Sequence, residues 1–168
     1  MGATIRRAGP QDAEQLASLN RVVQDLHRQR RPDYFRSTPA GEAAAWYRAL
    51  FQRPTAGAWL AELEGRAVGY LLTEIHHRPQ SPFTFDHRWL ELDQLAVETP
   101  FRRQGIARAL ITAAISDARE HGIRSVEATS WVFNEATHAV LRELGFSSKT
   151  VRFEIQHTPH TRSGRRVT

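Results

Sequence analysis

Two hydrophobic periods take turns along the chain and mark out its elements. Residues 3–8 read as a short first strand, and Gly9-Pro10 opens a helix with Asp12 and Glu14 in its first turn, where the helix dipole favours acids. Leu16, Leu19, Val23 and Leu26 give this helix one apolar stripe, and Pro32 and its neighbours in 27–36 end it. A second helix is predicted over 42–51, with Tyr47, Leu50 and Phe51 inward. Residues 58–63 and 66–76 read as a hairpin turning at Glu64-Gly65, and 77–87, with two prolines, read as a loop. Residues 90–97 form a mostly apolar strand interrupted by Glu91, Asp93 and Gln94. Ile106, Leu110, Ala113, Ala114 and Ala118 then recur at helical spacing until Gly122 stops the run. A strand over 125–130, a helix over 134–144 closed by Gly145, and a last strand over 149–157 complete the pattern. One domain is expected over 1–157, with 158–168 as a basic, disordered tail.

Between the central strand and helix lies Thr99-Pro100-Phe101-Arg102-Arg103-Gln104-Gly105-Ile106-Ala107. Proline breaks the ladder, Gly105 lets the backbone approach a ligand, and the helix start offers N–H groups without partners beside the positive end of the dipole. Such a strand, glycine turn and helix can hold an anion. It is not a Walker loop, because no Gly-Lys-Ser/Thr is present, and it lacks the three-glycine dinucleotide pattern.

Composition narrows the field. The chain has 168 residues, no cysteine, and 23 basic against 18 acidic residues, with Lys149 as its only lysine. Disulfide and thiolate chemistry are thereby excluded, and no apolar run reaches the roughly 20 residues needed to span a bilayer. The N-terminus lacks a secretory apolar region, so a cytoplasmic location is expected. The arginines are dispersed rather than striped, which argues against nucleic acid and for a solvated surface with an anionic cofactor. The eight histidines show no zinc spacing, so no metal is expected.

The turn resembles motif A of the GNAT superfamily of N-acetyltransferases, Gln/Arg-x-x-Gly-x-Gly/Ala, here Arg102, Gly105 and Ala107. Residues 134–146, NEATHAVLRELGF, resemble its motif B, an asparagine opening a helix that closes with Gly-Phe. Together the motifs cover about residues 90–157. The resemblance implies an α/β (α+β) fold: a mixed, mostly antiparallel sheet flanked by helices, with strands 4 and 5 parallel but splayed around acetyl-CoA. It places cofactor contacts on Leu95, Ala96 and Val97, on Arg102, Arg103, Gln104, Gly105, Ile106, Ala107 and Arg108, and on Asn134. Each has a plainer reading: strand core, an ordinary helix start, and an N-cap.

Attack on a thioester needs a neutral amine, and an alkyl ammonium has a pKa of about 10, so a base is required. Glu91 stands six positions before Val97, where the histone-acetylating branch of the superfamily carries its glutamate base; Asp93 is the second candidate. Alternation sets the two on one face unless a bulge intervenes. Both also fit solvated carboxylates on an exposed strand. Many relatives carry a tyrosine seven residues after the motif B asparagine as general acid, whereas this chain has Leu141. His27, Tyr34 and Phe35 are candidates to line an acceptor site, and Trp131 to wall the cleft, with core packing as the plainer reading of Tyr34, Phe35 and Trp131. The expected activity is direct acetyl transfer from acetyl-CoA to a primary amine of a small molecule, amino acid or peptide. The alternative is an acyl-CoA-binding sensor or interaction module without catalysis. No membrane partner is expected, and homodimerisation is left open.

Overall fold

Glu64 and Gly65 adopt positive φ angles of 51° and 78°, the two-residue turn whose twist suits a hairpin. They join β2 (Ala56–Leu63) to β3 (Arg66–Arg78), the centre of a five-stranded sheet. The computed structural model describes residues 2–156. Around the hairpin run β1 (Thr4–Arg7), β4 (His87–Val97) and β5 (Ser125–Ala128), in the order β1-β2-β3-β4-β5. All neighbours are antiparallel except β4 and β5, which are parallel.

Two cores lie on opposite faces of this sheet. On one, Leu16 and Leu19 of α1 (Ala13–Arg30) and Tyr47 and Leu50 of α2 (Ala40–Leu50) pack on Leu60, Tyr70, Leu72 and Ala96. On the other, Ile106, Leu110, Ile111 and Ala114 of α3 (Ile106–Glu120) pack on Val68, Leu71, Leu90 and Leu92. Val140, Leu141 and Leu144, in and just after α4 (Glu135–Glu143), pack against this second core without any residue of the helix being fully buried. Gly69 allows the close fit of α3, since a Cβ there would stand 2.9 Å from the Ala96 carbonyl and 3.3 Å from Ile106.

The entry to α1 is pinned by charge. Asp12, almost fully buried, accepts hydrogen bonds from Arg6 at 2.8 and 2.9 Å and from the Gly9 N–H at 2.9 Å. The Arg6 bonds outweigh the cost of burial and hold the Asp12 carboxyl below its ordinary range.

Three expectations need correction. The first helix does not break at His27 but continues to Arg30; Arg31, the residue before Pro32, leaves it at φ −140° and ψ 67°. The loop after the hairpin is shorter than expected, because His76, His77 and Arg78 pair with Trp89, Arg88 and His87. The predicted last strand forms no ladder among the described residues: 149–156 has no regular secondary structure, and Val151, Phe153 and Ile155 are exposed. His157 and the predicted tail 158–168 lie outside the described residues.

Candidate active site

β4 carries one residue too many for its partner. Leu72 of β3 stands opposite Gln94 and Thr73 opposite Leu92, so Asp93 is the extra residue of a bulge. Before it, Leu90 and Leu92 face α3; after it, Leu95 and Val97 do. Glu91, Asp93 and Gln94 therefore share the face covered by α1 and α2.

The bulge rests on a polar cluster that the sequence reading missed. The Gln94 side-chain oxygen accepts from Tyr47 OH at 2.7 Å, Tyr70 OH at 2.8 Å and Asn20 Nδ2 at 3.2 Å, and Asn20 also donates to Tyr70 OH at 2.9 Å. Each phenol has one proton and spends it on Gln94, so the 3.1 Å contact between the two hydroxyls is a close approach of oxygens rather than a third bond. Burial raises both phenols, Tyr70 to about 12, and keeps them donors. Asn20 also reaches a cavity of about 420 Å³ between α1 and the 37–43 segment, which Gln24, Arg28, Ser37 and Thr38 help to line.

The two carboxylates differ. Both Glu91 oxygens are engaged, by Trp89 Nε1 at 3.1 Å and Thr129 Oγ1 at 2.9 Å. Among the described residues no hydrogen bond reaches the Asp93 side chain. Asp93 touches solvent, yet the protein around it strips enough water to raise its pKa; the Glu91 charge adds to the rise, while His76 and Arg53 oppose it.

The parallel pairing of β4 and β5 stops at Leu92 and Ala128, where β5 ends while β4 runs on to Val97, so a gap opens beside the last residues of β4. Glu98 N bonds Val68 O at 2.9 Å, which fixes the phase of the ladder. Ala96 and Gln94 thus exchange backbone bonds with β3, whereas the N–H and C=O groups of Leu95 and Val97 point into the gap. The expected contact at Ala96 changes accordingly: its backbone is taken by Tyr70 and its side chain lies in the core. Arg102 Nε occupies the Val97 carbonyl at 3.1 Å.

At the end of the gap Arg103 and Gly105 both take left-handed conformations, φ 60° and 79°, and Gly105 caps α3. Among the described residues the N–H groups of Arg103, Gln104 and Gly105 have no partner, and nothing lies within 4 Å of a Cβ built on Gly105. Alternating left-handed residues at a helix start make a nest of N–H donors, and this donor set fits a pyrophosphate. Gln104 bonds Pro100 O at 3.3 Å, Arg108 pairs with Glu143 at 2.8 Å, Ile106 is buried against the sheet, and Ala107 is half-buried in the first turn of α3. Asn134 caps α4, accepting from Thr137 N at 3.4 Å. Leu141 packs into the core and offers no phenol.

His27, Tyr34 and Phe35 do come together, joined by Trp131 and Phe133 from beyond β5. His27 stacks on Phe35 at 4.7 Å and meets Phe133 edge-on at 5.7 Å; Trp131 lies 5.2 Å from Tyr34. The His27 Nε2 and Ser130 Oγ atoms are buried without partners among the described residues, and burial lowers the His27 pKa. Asn20 and His27 lie two turns apart on one face of α1, so the helix bridges the gap from the Gln94 cluster to Phe133. Among the described residues, no three acidic or histidine side chains are placed to hold a metal, and no helix is long and apolar enough to cross a membrane.

Comparison with known proteins agrees with this geometry. The solved structure of the BH1408 protein from Bacillus halodurans superposes with a TM-score of 0.85 at 23% identity, covering 92% of this chain and 99% of that one. The aminoglycoside N-acetyltransferase AAC(6′)-Iy, solved with CoA, superposes with a TM-score of 0.73 at 20% identity, covering 94% and 98%. In sequence, the mycothiol acetyltransferase of Saccharomonospora viridis is 28% identical over 159 residues, 93% of this chain and 49% of its own. An uncharacterised N-acetyltransferase of Methanocaldococcus jannaschii is 30% identical over 115 residues, 64% of this chain and 47% of its own. The chain thus spans about half the length of these two relatives. The family model described as Acetyltransferase (GNAT) family matches residues 22–146, which include the bulged strand, the nest at Gly105 and the Asn134 cap, and the chain belongs to that family.

Proposed function

We propose that this chain moves an acetyl group from acetyl-CoA directly to a primary amine of a small molecule, amino acid or peptide. The observation that carries this reading is the backbone of Leu95 and the N–H of Val97, without partners among the described residues, facing the gap that leads to the N–H nest at Gly105. Backbone at 95 and 97 suits an extended pantetheine arm, and the nest with the α3 dipole suits the pyrophosphate. Asn134 adds a side-chain contact to the arm while its oxygen caps α4. A backbone N–H at the bulge would stabilise the oxyanion that develops on the acetyl carbonyl.

The amine nitrogen attacks the carbonyl carbon; the C–N bond forms, the C–S bond breaks, and the ammonium proton must leave. Glu91 has the position at which the histone-acetylating branch of the family carries its base, but Trp89 and Thr129 already engage its oxygens. Asp93 is unengaged among the described residues and its ionised form is disfavoured, so we assign it the proton, with Glu91 as the neighbouring charge that keeps Asp93 ready to take one. A thiol is far more acidic than an alkyl ammonium, so CoA leaves as thiolate without a phenol at Leu141. His27, Tyr34 and Phe35, with Trp131 and Phe133, form the wall against which the acceptor lies.

A panel of amine classes, scored by CoA release and product mass, tests the reading. Asp93→Asn should lower turnover at neutral pH by about 10²–10⁴-fold with little change in acetyl-CoA affinity. Full activity in Asp93→Asn with loss in Glu91→Gln would return the role to Glu91. The second reading, an acyl-CoA sensor without catalysis, is favoured by the core packing of Leu141. Tight acetyl-CoA binding without turnover across the panel would establish it.

A further inference from the structure

Three carboxylates stand side by side where β3, β4 and β5 run together. Glu91 is in register with Glu74 on one side and Glu127 on the other, so all three share a face of the sheet. The outer two are neutralised: Arg53 pairs with Glu74, and Lys149 pairs with Glu127. Among the described residues no cation pairs with Glu91, whose partners are the neutral donors Trp89 Nε1 at 3.1 Å and Thr129 Oγ1 at 2.9 Å. Such donors favour the ionised carboxylate without cancelling its charge. Trp89 is held in turn. Its indole lies nearly parallel to the His76 ring at 5.1 Å and to the His87 ring at 5.0 Å, at interplanar angles of 17° and 16°. His87 Nε2 is itself fixed 2.8 Å from Glu127 Oε1. Trp89 packs into neither core, so its place is set by these two imidazoles and by the carboxylate to which it donates.

We propose that Trp89 is a positioning residue for acetyl transfer: flanked by His76 and His87, it holds the Glu91 charge beside Asp93. This role presupposes the one proposed for Asp93, as the group that takes the amine's proton. The charged groups that act on Asp93 are Glu91, which strengthens its hold on a proton, and His76 and Arg53, which weaken it. Because Glu74 and Glu127 carry their own cations, Glu91 is the uncompensated member of the row. Without the indole N–H, two changes run in the same direction. Glu91 loses a donor to its ionised form and protonates more readily. Its freed oxygen also turns toward water, away from the charges of Asp93 and Glu74. Either change removes negative charge from beside Asp93, which then releases its proton at lower pH and becomes a weaker base. An arginine at position 89 would hold Glu91 as firmly but cancel its charge, so a neutral donor suits the place.

The pH profile of kcat/KM separates this role from ordinary packing. Trp89→Phe keeps an aromatic ring between the two imidazoles and loses the N–H. Its acid limb should fall by about one pH unit toward the ordinary aspartate range, and kcat at neutral pH by roughly three- to tenfold. Acetyl-CoA affinity by calorimetry should not change, because no cofactor contact is touched. Glu91→Gln should move the limb the same way, and Trp89→Phe added to it should move the limb no further. His87→Ala removes one flank but leaves the N–H, and Lys149 still pairs with Glu127, so its limb should move less in the same direction. A limb unmoved in Trp89→Phe, or a further shift in the double variant, overturns the proposal. Should Trp89→Phe fail to fold, an unmoved limb in His87→Ala has the same force. Full activity in Asp93→Asn would remove the base and this role with it. Loss of activity there, with the limb of Trp89→Phe unmoved, strikes the role of Trp89 alone.

Discussion

Asp93 works against the fold that holds it. Its carboxyl is raised from the ordinary 3.8 chiefly by loss of water and then by Glu91, so the folded chain holds this proton more tightly than the unfolded chain does. Stability from this group is therefore full below the ordinary aspartate pKa and is lost as pH rises through the raised value. Asp93→Asn should accordingly melt at a higher temperature than wild type at neutral pH while losing turnover, a trade typical of strained functional positions. A lower melting temperature would show that the carboxylate is stabilising and misassigned. The same shift moves the acid limb of kcat/KM above the ordinary aspartate range, and the limb should vanish in Asp93→Asn. At the other end of the gap, Gly105→Glu places a Cβ at φ 79° and a negative charge before an N–H nest. Loss of one charge-assisted hydrogen bond costs about 1.5–3 kcal/mol, so calorimetry should show acetyl-CoA affinity reduced at least tenfold in a folded protein. Unchanged affinity would place the cofactor elsewhere.

At the scale of elements, β4 is shaped by what lies beneath it. Gln94 binds two tyrosines and an asparagine from α1, α2 and β3, and the bulge can form only where that cluster receives its side chain. Tyr47→Phe removes one donor and should cost about 1 kcal/mol by urea denaturation. Gln94→Leu strands two buried phenols at about 1–3 kcal/mol each, so its midpoint should fall much further. In Gln94→Leu kcat should drop more than the KM for acetyl-CoA rises, because the bulge orients the Leu95 backbone without touching the cofactor's remote end. Equal loss in both would reduce the cluster to ordinary packing. None of this was readable beforehand: the four side chains are far apart in sequence, and in the strand pattern Gln94 looked like an interruption. The Gly105 turn and the Asn134 cap were readable, because their chemistry depends on neighbours within four residues. The aromatic wall stood between. His27, Tyr34 and Phe35 are close in sequence and were named, whereas Phe133 comes from the other side of the sheet and was not.

For the whole molecule, the order of strands and helices followed from the two hydrophobic periods, and the exception lies at the C-terminal end. Residues 149–156 alternate as strongly as any strand here, yet alternation describes a face and says nothing of an edge to pair with. A different long-range device governs acid stability. Asp12, held below its ordinary range by Arg6, contributes fully above the ordinary aspartate pKa and is lost as pH falls through its lowered value. Asp12→Asn should cost about 1–2 kcal/mol at neutral pH, since it leaves the half-exposed Arg6, partly screened by water, with Glu62 alone, and much less in strong acid. A pH-independent loss on denaturation would mean that Asp12 acts by shape rather than charge.

The single surplus residue at the bulge also limits how this gene can change in length. Removing Asp93 would restore even alternation to β4 while every other residue keeps its β3 partner and its face, so what is lost is the bulge itself and the carboxylate it displays. A codon lost at 93 should thus leave a chain that folds without the bulge and has little turnover, with its melting temperature unimpaired. The same change at 79–83, in the exposed connection before β4, rephases nothing and should pass through a library of insertions and deletions almost unnoticed.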